Sequence, residues 1–107
     1  MKSISVIIPA YNDAARLERT LRQLRHIAKH EYPALELIVS VRASHDRTEI
    51  VARELADIVV EGGAASKGRN NGARAAHGEV LVFLDADTVP ALGTMTAIAH
   101  AAGWFTV

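Results

Sequence analysis

The apolar residues of this chain fall into short continuous runs, separated by longer stretches in which apolar residues recur at helical spacing. The runs are "SISVIIP" (3–9), "LELIVSV" (35–41), "DIVVE" (57–61) and "EVLVFL" (79–84). Within them, apolar residues follow one another with little polar alternation, which is typical of strands buried on both faces of a parallel sheet. The pattern therefore predicts four β-strands.

Helices are predicted between and after these strands, over residues 14–29, 46–55, 67–76 and 91–102. In the first of them, Leu17, Leu21 and Leu24 recur at helical spacing. Asn12 and Asp13 precede this helix and are its candidate N-caps.

The second helix is expected to begin at Asp46, because Asp46 and Glu49 have the spacing of a capping box. Each connection between strands is long enough for a crossover helix, which parallel neighbours require. The predicted fold class is therefore α/β, a Rossmann-like βαβαβαβ parallel sheet with helices on both faces. Such sheets bind ligands beyond the carboxyl ends of their strands, near the point where the strand order reverses.

Charge and composition narrow the classes of partner. The 107 residues include 12 Lys and Arg against 12 Asp and Glu, so the net charge is zero and no long-range field attracts nucleic acid. The absence of cysteine excludes disulfides and thiolate metal sites. No apolar stretch approaches the roughly 20 residues of a membrane span. We therefore expect one domain without an integral membrane segment, located in the cytoplasm, with peripheral contact to a membrane as a further option.

Two carboxylates follow the last predicted strand. Asp85 and Asp87 are separated by one residue, and a strand places alternate residues on one side, so both can face the same crevice. Hard oxygen ligands suit Mg²⁺ or Mn²⁺, which typically bind to one or two carboxylates and complete their shell with water and substrate phosphates. The alternative is local: Asp87 or Thr88 caps the next helix and Asp85 is only hydrated.

Two further segments at the same sheet edge can contact a nucleotide. "KGRNNGARAAHG" (67–78) places Arg69 and Gly72 at the predicted start of the third helix, where free backbone N–H groups favour an anion. Arg69 can add a bidentate contact to a phosphate, whereas a solvated helix start is the alternative. "PAYND" (9–13) offers backbone groups and the Tyr11 ring to a nucleoside, although such a tyrosine more often serves packing alone.

Taken in order, these motifs resemble the nucleotide-binding half of family-2 glycosyltransferases of the GT-A fold. The matching stretches are "SVIIPAYND" (5–13), "ELIVSVRASHDRT" (36–48) and "KGRNNGARAAHGEVLVFLDADTVP" (67–90). In that family the first strand reads S-V-I-I-P-x-Y-N, and R-N-x-G on the third helix precedes F-L-D-x-D. The resemblance covers nearly the whole chain and keeps the family's order of motifs.

The resemblance implies a reaction, a cofactor and a set of contacts. The reaction is transfer of a sugar from a nucleotide diphosphate to an acceptor hydroxyl, usually with inversion, assisted by a divalent cation, Mn²⁺ or Mg²⁺. Arg69 would approach the diphosphate, Asp85 would lie near the ribose or the metal, and Asp87 would coordinate the cation. The residues implied to line the nucleoside pocket are Pro9, Ala10, Tyr11 and Asp13.

One departure from the family's pattern concerns the nucleotide base. After the second strand the family has D-D-G-S-x-D-x-T or D-G-G-S-x-D-x-T, whereas this chain reads "VRAS" at 41–44 and retains Asp46 and Thr48. The carboxylate that would receive uracil is therefore absent, and base recognition is expected to change. Arg42 is a candidate contact to a base carbonyl or a phosphate, the alternative being an exposed arginine.

A second departure is length, since family members continue further and place their acceptor pocket and general base there. Residues 91–107 contain no Asp, Glu, Lys or Cys, and His100 is their one titratable side chain. An inverting transfer needs a base within reach of the acceptor hydroxyl. We therefore expect residues 1–107 to form a single partial domain, the donor-binding half without the acceptor half. It is expected to be inactive in isolation, and no catalytic residue is assigned.

The chain ends in "GWFTV" (103–107), which is apolar and β-prone. An uncovered Trp104 and Phe105 at a sheet edge favour pairing with another chain, so we expect a homodimer or higher oligomer through this C-terminal edge.

Two other functions compete with the glycosyltransferase. One is a non-catalytic, dimerising interaction or regulatory module that keeps the nucleotide-binding fold. The other is an unrelated phospho-acceptor domain with Asp85 as the receiver, which this chain fits poorly because it lacks an acidic cluster after the first strand.

Overall fold

The computed structural model of the chain describes residues 1–101 and, for their backbone only, residues 104–106. Strands and helices alternate along these residues. The strands are β1 (Ile4–Ala10), β2 (Leu35–Val41), β3 (Ile58–Glu61), β4 (Val80–Phe83) and β5 (Trp104–Thr106). The helices are α1 (Ala14–His30), α2 (Thr48–Leu55), α3 (Ala65–Ala75) and α4 (Thr94–Ala99).

The strands form one parallel sheet with β1 at its centre. The order across the five-stranded sheet is β3-β2-β1-β4-β5. β1 pairs with β2 from Ile4 opposite Leu35 to Ala10 opposite Val41, and with β4 from Ile4 opposite Val80 onward. The predicted α/β, Rossmann-like class is confirmed, and the four predicted strands are all present.

Helices cover both faces of the sheet, as the unbroken apolar runs of the strands require. α1, α2 and α4 bury apolar side chains in one core with alternate residues of β1 and β2, whereas α3 packs against the other face of β1, β2 and β3. The leucine stripe predicted for α1 faces this core, with Leu17, Leu21 and Leu24 fully buried. Thr20 lies within the same buried stripe.

At the amino-terminal edge of the sheet, Glu36 joins β1, β2 and the loop before β4. Its carboxylate accepts hydrogen bonds from Ser5 Oγ at 2.8 Å and from the His77 backbone N–H at 2.9 Å, and it pairs with the His77 ring at 2.9 Å. Partial burial acts to raise the pKa of Glu36, but the hydrogen bonds from His77 and Ser5 outweigh it and hold this pKa below its ordinary value of 4.5. Hydrogen bonds to the Glu36 carboxylate therefore hold this edge together.

Several predicted helix boundaries are wrong. α2 begins at Thr48 rather than at Asp46, and α3 begins at Ala65, two residues earlier than predicted. α4 begins at Thr94 rather than at residue 91, because Gly93 before it has φ 86°, in the left-handed region, and ends the preceding turn there; the helix ends at Ala99.

The apolar C-terminal residues begin a strand, as their composition indicates. Trp104–Thr106 pairs in parallel with β4 and forms the edge of the sheet. The exposure of the Trp104 and Phe105 side chains lies outside the described residues. Oligomerisation through this edge therefore stays a prediction.

α3 approaches the sheet closely because glycine stands at its contact positions. A Cβ atom on Gly72 would lie 2.4 Å from Ile7 Cγ2, a buried atom of the central strand. A Cβ atom on Gly68, one turn earlier, would lie 3.5 Å from Pro9 Cβ and from Ser40 Cβ, which is ordinary van der Waals contact. The distance between α3 and β1 is therefore set at Gly72.

We expect Gly72→Ala to lower the free energy of unfolding by about 1–3 kcal/mol, because the methyl group overpacks against a β-branched side chain that has no free space. The matched control is Gly68→Ala, which gains up to about 1 kcal/mol of helix propensity without a clash. Urea denaturation of both variants measures the difference. Equal stability of the two variants would contradict the contact between α3 and Ile7.

Candidate functional site

The carboxyl ends of β1, β2 and β4 meet at one edge of the sheet. The Leu84 N–H donates to Ile7 O at 3.0 Å, so the chain stays beside β1 until it reaches Asp85. The strand order reverses between β1 and β4, because β2 and β3 lie on one side of β1 and β4 on the other. Open α/β sheets bind ligands at such a switch point.

A cleft of about 200 Å³ opens at this edge between the ends of β1 and β2 and the start of α3. It is smaller than the roughly 300–1,000 Å³ of a complete small-molecule site, so it suits part of a ligand, such as a planar ring. Its lining residues are Pro9, Ala10, Tyr11, Ser40, Arg42, Gly63, Ala65 and Gly68. The structure thus brings together Pro9, Ala10, Tyr11 and Arg42, which the sequence predicted at a nucleotide.

Two side chains form the outer wall of the cleft. The Arg42 guanidinium carbon lies 4.5 Å from the centroid of the Tyr11 ring, within the range of a cation–π contact. Tyr11 is 47% exposed and Arg42 is exposed as well. Arg42 is therefore neither an isolated surface arginine nor a buried one, since it stacks on an aromatic ring beside an open cleft.

The loop after β1 is held by the loop after β2. The Asn12 N–H donates to Ser44 Oγ at 3.0 Å, and the His45 N–H donates to Asn12 Oδ1 at 2.9 Å. Asn12 has φ 45°, in the left-handed region that asparagine tolerates better than most residues. The Asp13 N–H donates to Thr48 Oγ1 at 2.9 Å. These bonds fix the position of Tyr11 relative to the end of β2.

The Asp46 carboxylate accepts hydrogen bonds from backbone N–H groups at the start of both helices that follow these loops, α1 and α2. Its Oδ2 accepts from the Ala14 N–H at 3.2 Å, and its Oδ1 accepts from the Thr48 N–H at 2.9 Å and from the Thr48 hydroxyl. Asp13 is the N-cap residue of α1, as predicted, but it makes no side-chain cap bond. The prediction for α2 is wrong, since Arg47 rather than Asp46 is its N-cap residue. The Thr48 hydroxyl lowers the pKa of Asp46 below its ordinary value, despite slight desolvation.

The two candidate metal ligands flank a buried alanine. Asp85 and Asp87 are exposed, whereas Ala86 between them is only 6% exposed and belongs to the core. The Ala86 carbonyl accepts a 2.7 Å hydrogen bond from Thr20 Oγ1, which anchors the segment to α1, and the Thr88 N–H donates to Asp85 O at 3.0 Å, which closes a turn. The sequence did not indicate this role of Thr20, although a threonine in a leucine stripe is an available signal.

This donor set fits a hard divalent cation that also binds to a ligand. Within residues 1–101 no group of three or more His, Cys, Asp or Glu side chains is arranged to hold a metal. Mg²⁺ and Mn²⁺ do not require such a group, because they commonly use one or two carboxylates and take phosphate and water oxygens for the rest. The two exposed carboxylates match that requirement.

Asp13 and Arg69 lie outside the lining of the cleft. The Asp13 carboxylate pairs with Arg16 at 3.6 Å. Arg69 is exposed and lies one turn into α3 rather than at its start, since the helical hydrogen bonds begin with Gly68 N–H to Ala64 O at 3.0 Å. The N–H groups free for an anion are therefore those of residues 65–67.

Among the helices that the structure describes, none is long and apolar enough to cross a membrane.

Comparison with known proteins identifies the family. The profile described as Glycosyl transferase family 2 matches residues 5–103. The chain belongs to this family. The predicted resemblance is therefore confirmed, and the sheet edge described above is that of a family-2 glycosyltransferase domain.

Individual relatives agree with this assignment. The glycosyltransferase AglE of Haloferax volcanii is 32% identical over 99 residues, which are 81% of this chain and 31% of the relative. A mannosyltransferase from Pyrobaculum calidifontis, solved in complex with GDP-Man and Mn²⁺, superimposes with a TM-score of 0.72 and 32% identity over 92% of this chain and 31% of its own. Glucosyl-3-phosphoglycerate synthase from Mycobacterium tuberculosis, solved with Mn²⁺, UDP and glucosyl-3-phosphoglycerate, gives a TM-score of 0.67 and 26% identity over 79% and 33% of the two chains. The chain thus spans about a third of the length of these proteins.

Replacement of Thr20 by valine tests the anchor of the Asp85–Asp87 turn. The change keeps the shape of the side chain but leaves the buried Ala86 carbonyl without its donor, which costs about 1–3 kcal/mol of stability. Thr96→Val, at an exposed threonine of α4, is the control and is expected to stay within about 0.5 kcal/mol of the unmodified protein. Thermal unfolding followed by circular dichroism measures both, and an unchanged Thr20→Val would contradict the anchor.

A pH titration of stability tests the Asp46 contacts. Because the folded-state pKa of Asp46 lies below the ordinary value of 3.8, its contribution is present above that value and is lost as pH falls through the folded pKa. Asp46→Asn is therefore expected to be less stable at neutral pH and to lose less stability than the unmodified protein on acidification. Glu54→Gln, at an exposed glutamate of α2, serves as the control. If the stability of all three proteins fell by the same amount on acidification, the stabilising role of the Asp46 contacts would be contradicted.

Proposed function

We propose that this chain is the donor-binding part of a glycosyltransferase that transfers a sugar from a nucleotide diphosphate to an acceptor hydroxyl with the help of a divalent metal. The observation that carries the proposal is the convergence of three features at one sheet edge. These are the cleft beside Tyr11, the free N–H groups at the start of α3, and the exposed carboxylates of Asp85 and Asp87.

Each feature suits one part of the donor. The cleft accepts a planar base or nucleoside, with the Tyr11 ring as an aromatic contact. The start of α3 lines the same cleft through Ala65 and offers backbone donors to a phosphate. Arg69, one turn further along α3, supplies a positive charge on the same helix.

Asp87, together with Asp85, would hold the divalent cation. When bound, the cation would neutralise the charge that develops on the departing diphosphate. The protein's own contribution is to keep both carboxylates at the switch point, which the bond from Thr20 to Ala86 and the turn closed by Thr88 achieve. The relatives solved with Mn²⁺ and GDP-Man or UDP support the use of a divalent metal together with a nucleotide.

No residue of 1–107 is assigned as the general base. Residues 91–107 contain a single titratable side chain, His100, which is exposed. We infer that residues 1–107, which span about a third of the length of the relatives described above, supply the donor-binding part of the domain.

Calorimetric titration with nucleoside diphosphates, with and without Mn²⁺, tests the donor site. We expect Mn²⁺-dependent binding that Asp87→Asn weakens by roughly tenfold or more, because a charge-assisted contact worth about 1.5–3 kcal/mol is lost. Glu54→Gln removes one negative charge from an exposed site on α2 and is expected to bind as the unmodified protein does.

The competing function gives a different result. A non-catalytic module that only retains the fold predicts no binding of any nucleoside diphosphate. Binding that neither Mn²⁺ nor Asp87→Asn alters would contradict the metal-assisted site while leaving a nucleotide site in place.

A further inference from the structure

We propose that Arg42 selects the base of the donor nucleotide and favours guanine over uracil. This inference rests on the proposed donor site, because it gives a specificity role to one wall of the same cleft. Arg42 directly follows β2, at the edge where the cleft opens.

The backbone of Arg42 is held on both sides. Its N–H donates to Ala10 O at 3.0 Å, and its carbonyl accepts from Ser44 Oγ at 2.8 Å. A Cβ atom on Gly62 would lie 2.8 Å from Arg42 N, so the backbone at the end of β3 packs directly against the Arg42 peptide. The side chain therefore extends over Tyr11 from a fixed point, and little ordering is needed when a ligand binds.

The guanidinium keeps its donors for a ligand. Its stacking partner is the Tyr11 ring, and within residues 1–101 it forms no ion pair with a carboxylate. The contact over the Tyr11 ring is not a hydrogen bond, and among the described residues no hydrogen bond uses the guanidinium N–H groups, so they stay available to a ligand. Arg42 can therefore present two parallel donors to the edge of a base.

The cleft offers few acceptors to a base. No carboxylate or carboxamide side chain lines it, and the Ser40 hydroxyl is already engaged in donating to Gly68 O at 2.6 Å. A base edge that consists of two adjacent acceptors is thus matched, and an edge that also carries a donor is not.

The common bases differ in this respect. Guanine places O6 and N7 side by side, and arginine binds to both in the most frequent specific contact to a base. Uracil has N3–H between O2 and O4, so two parallel donors meet one acceptor and one opposing donor. Cytosine also has adjacent acceptors, O2 and N3, but guanine is larger and presents more aromatic surface to the cleft beside Tyr11.

Calorimetric titration with GDP, UDP and CDP in the presence of Mn²⁺ tests the selection. We expect GDP to bind about tenfold to one hundredfold more tightly than UDP, and more tightly than CDP. Arg42→Lys keeps the charge but not the paired donors, and is expected to bring the GDP and UDP affinities close together. Arg19→Lys, at an exposed arginine of α1, is the matched control and is expected to keep the preference. Circular dichroism confirms that each variant is folded.

The outcomes separate this inference from the donor site itself. Equal affinities for GDP and UDP in the unmodified protein, tighter binding of CDP, or a preference that survives Arg42→Lys would overturn base selection while the donor site stands. Failure of every nucleotide to bind would overturn both.

Discussion

Parallel pairing on both sides of β1 is the constraint on which the candidate site depends. Because β2 and β4 run in the same direction as β1, their carboxyl ends reach one edge and bring Tyr11, Arg42 and Asp85 to the same region. These residues are far apart in the sequence, so no local interaction would place them together. The close contact of Gly72 with Ile7 adds the start of α3 to this edge.

The loops at this edge are fixed by hydrogen bonds between different parts of the chain. Asp46 and Thr48 hold the start of α1, and Thr20 holds the turn between Asp85 and Asp87. The polar groups that perform these tasks are distinct from the exposed ones available to a ligand, Arg42 and the two aspartates. A site built in this way is largely formed before a ligand binds, which reduces the entropy cost of binding.

The sequence predicted the fold, and the sheet edge that carries the candidate site, because both follow from local patterns of apolar residues. Continuous apolar runs identified β1 to β4, and the leucine spacing identified α1. The helix starts were less predictable, since Asp46 caps α1 across the space between two loops, and such a contact has no signature in local spacing. The contact of Arg42 with Tyr11 was missed for the same reason. The roles of the buried Ser40 and Thr20 were missed as well, although a polar residue within an apolar pattern is an available signal.

The central claim is that a divalent cation binds at the end of β4 together with a nucleoside diphosphate. The most direct test is Mn²⁺-induced broadening of the backbone amide signals in NMR spectra, recorded with a nucleoside diphosphate present. The account predicts selective loss of the signals of Asp85 to Thr88 and of the Tyr11 loop, with the signals around Glu36 and His77 at the opposite edge retained. Broadening centred on Glu36 and His77, or spread evenly over the chain, would contradict it.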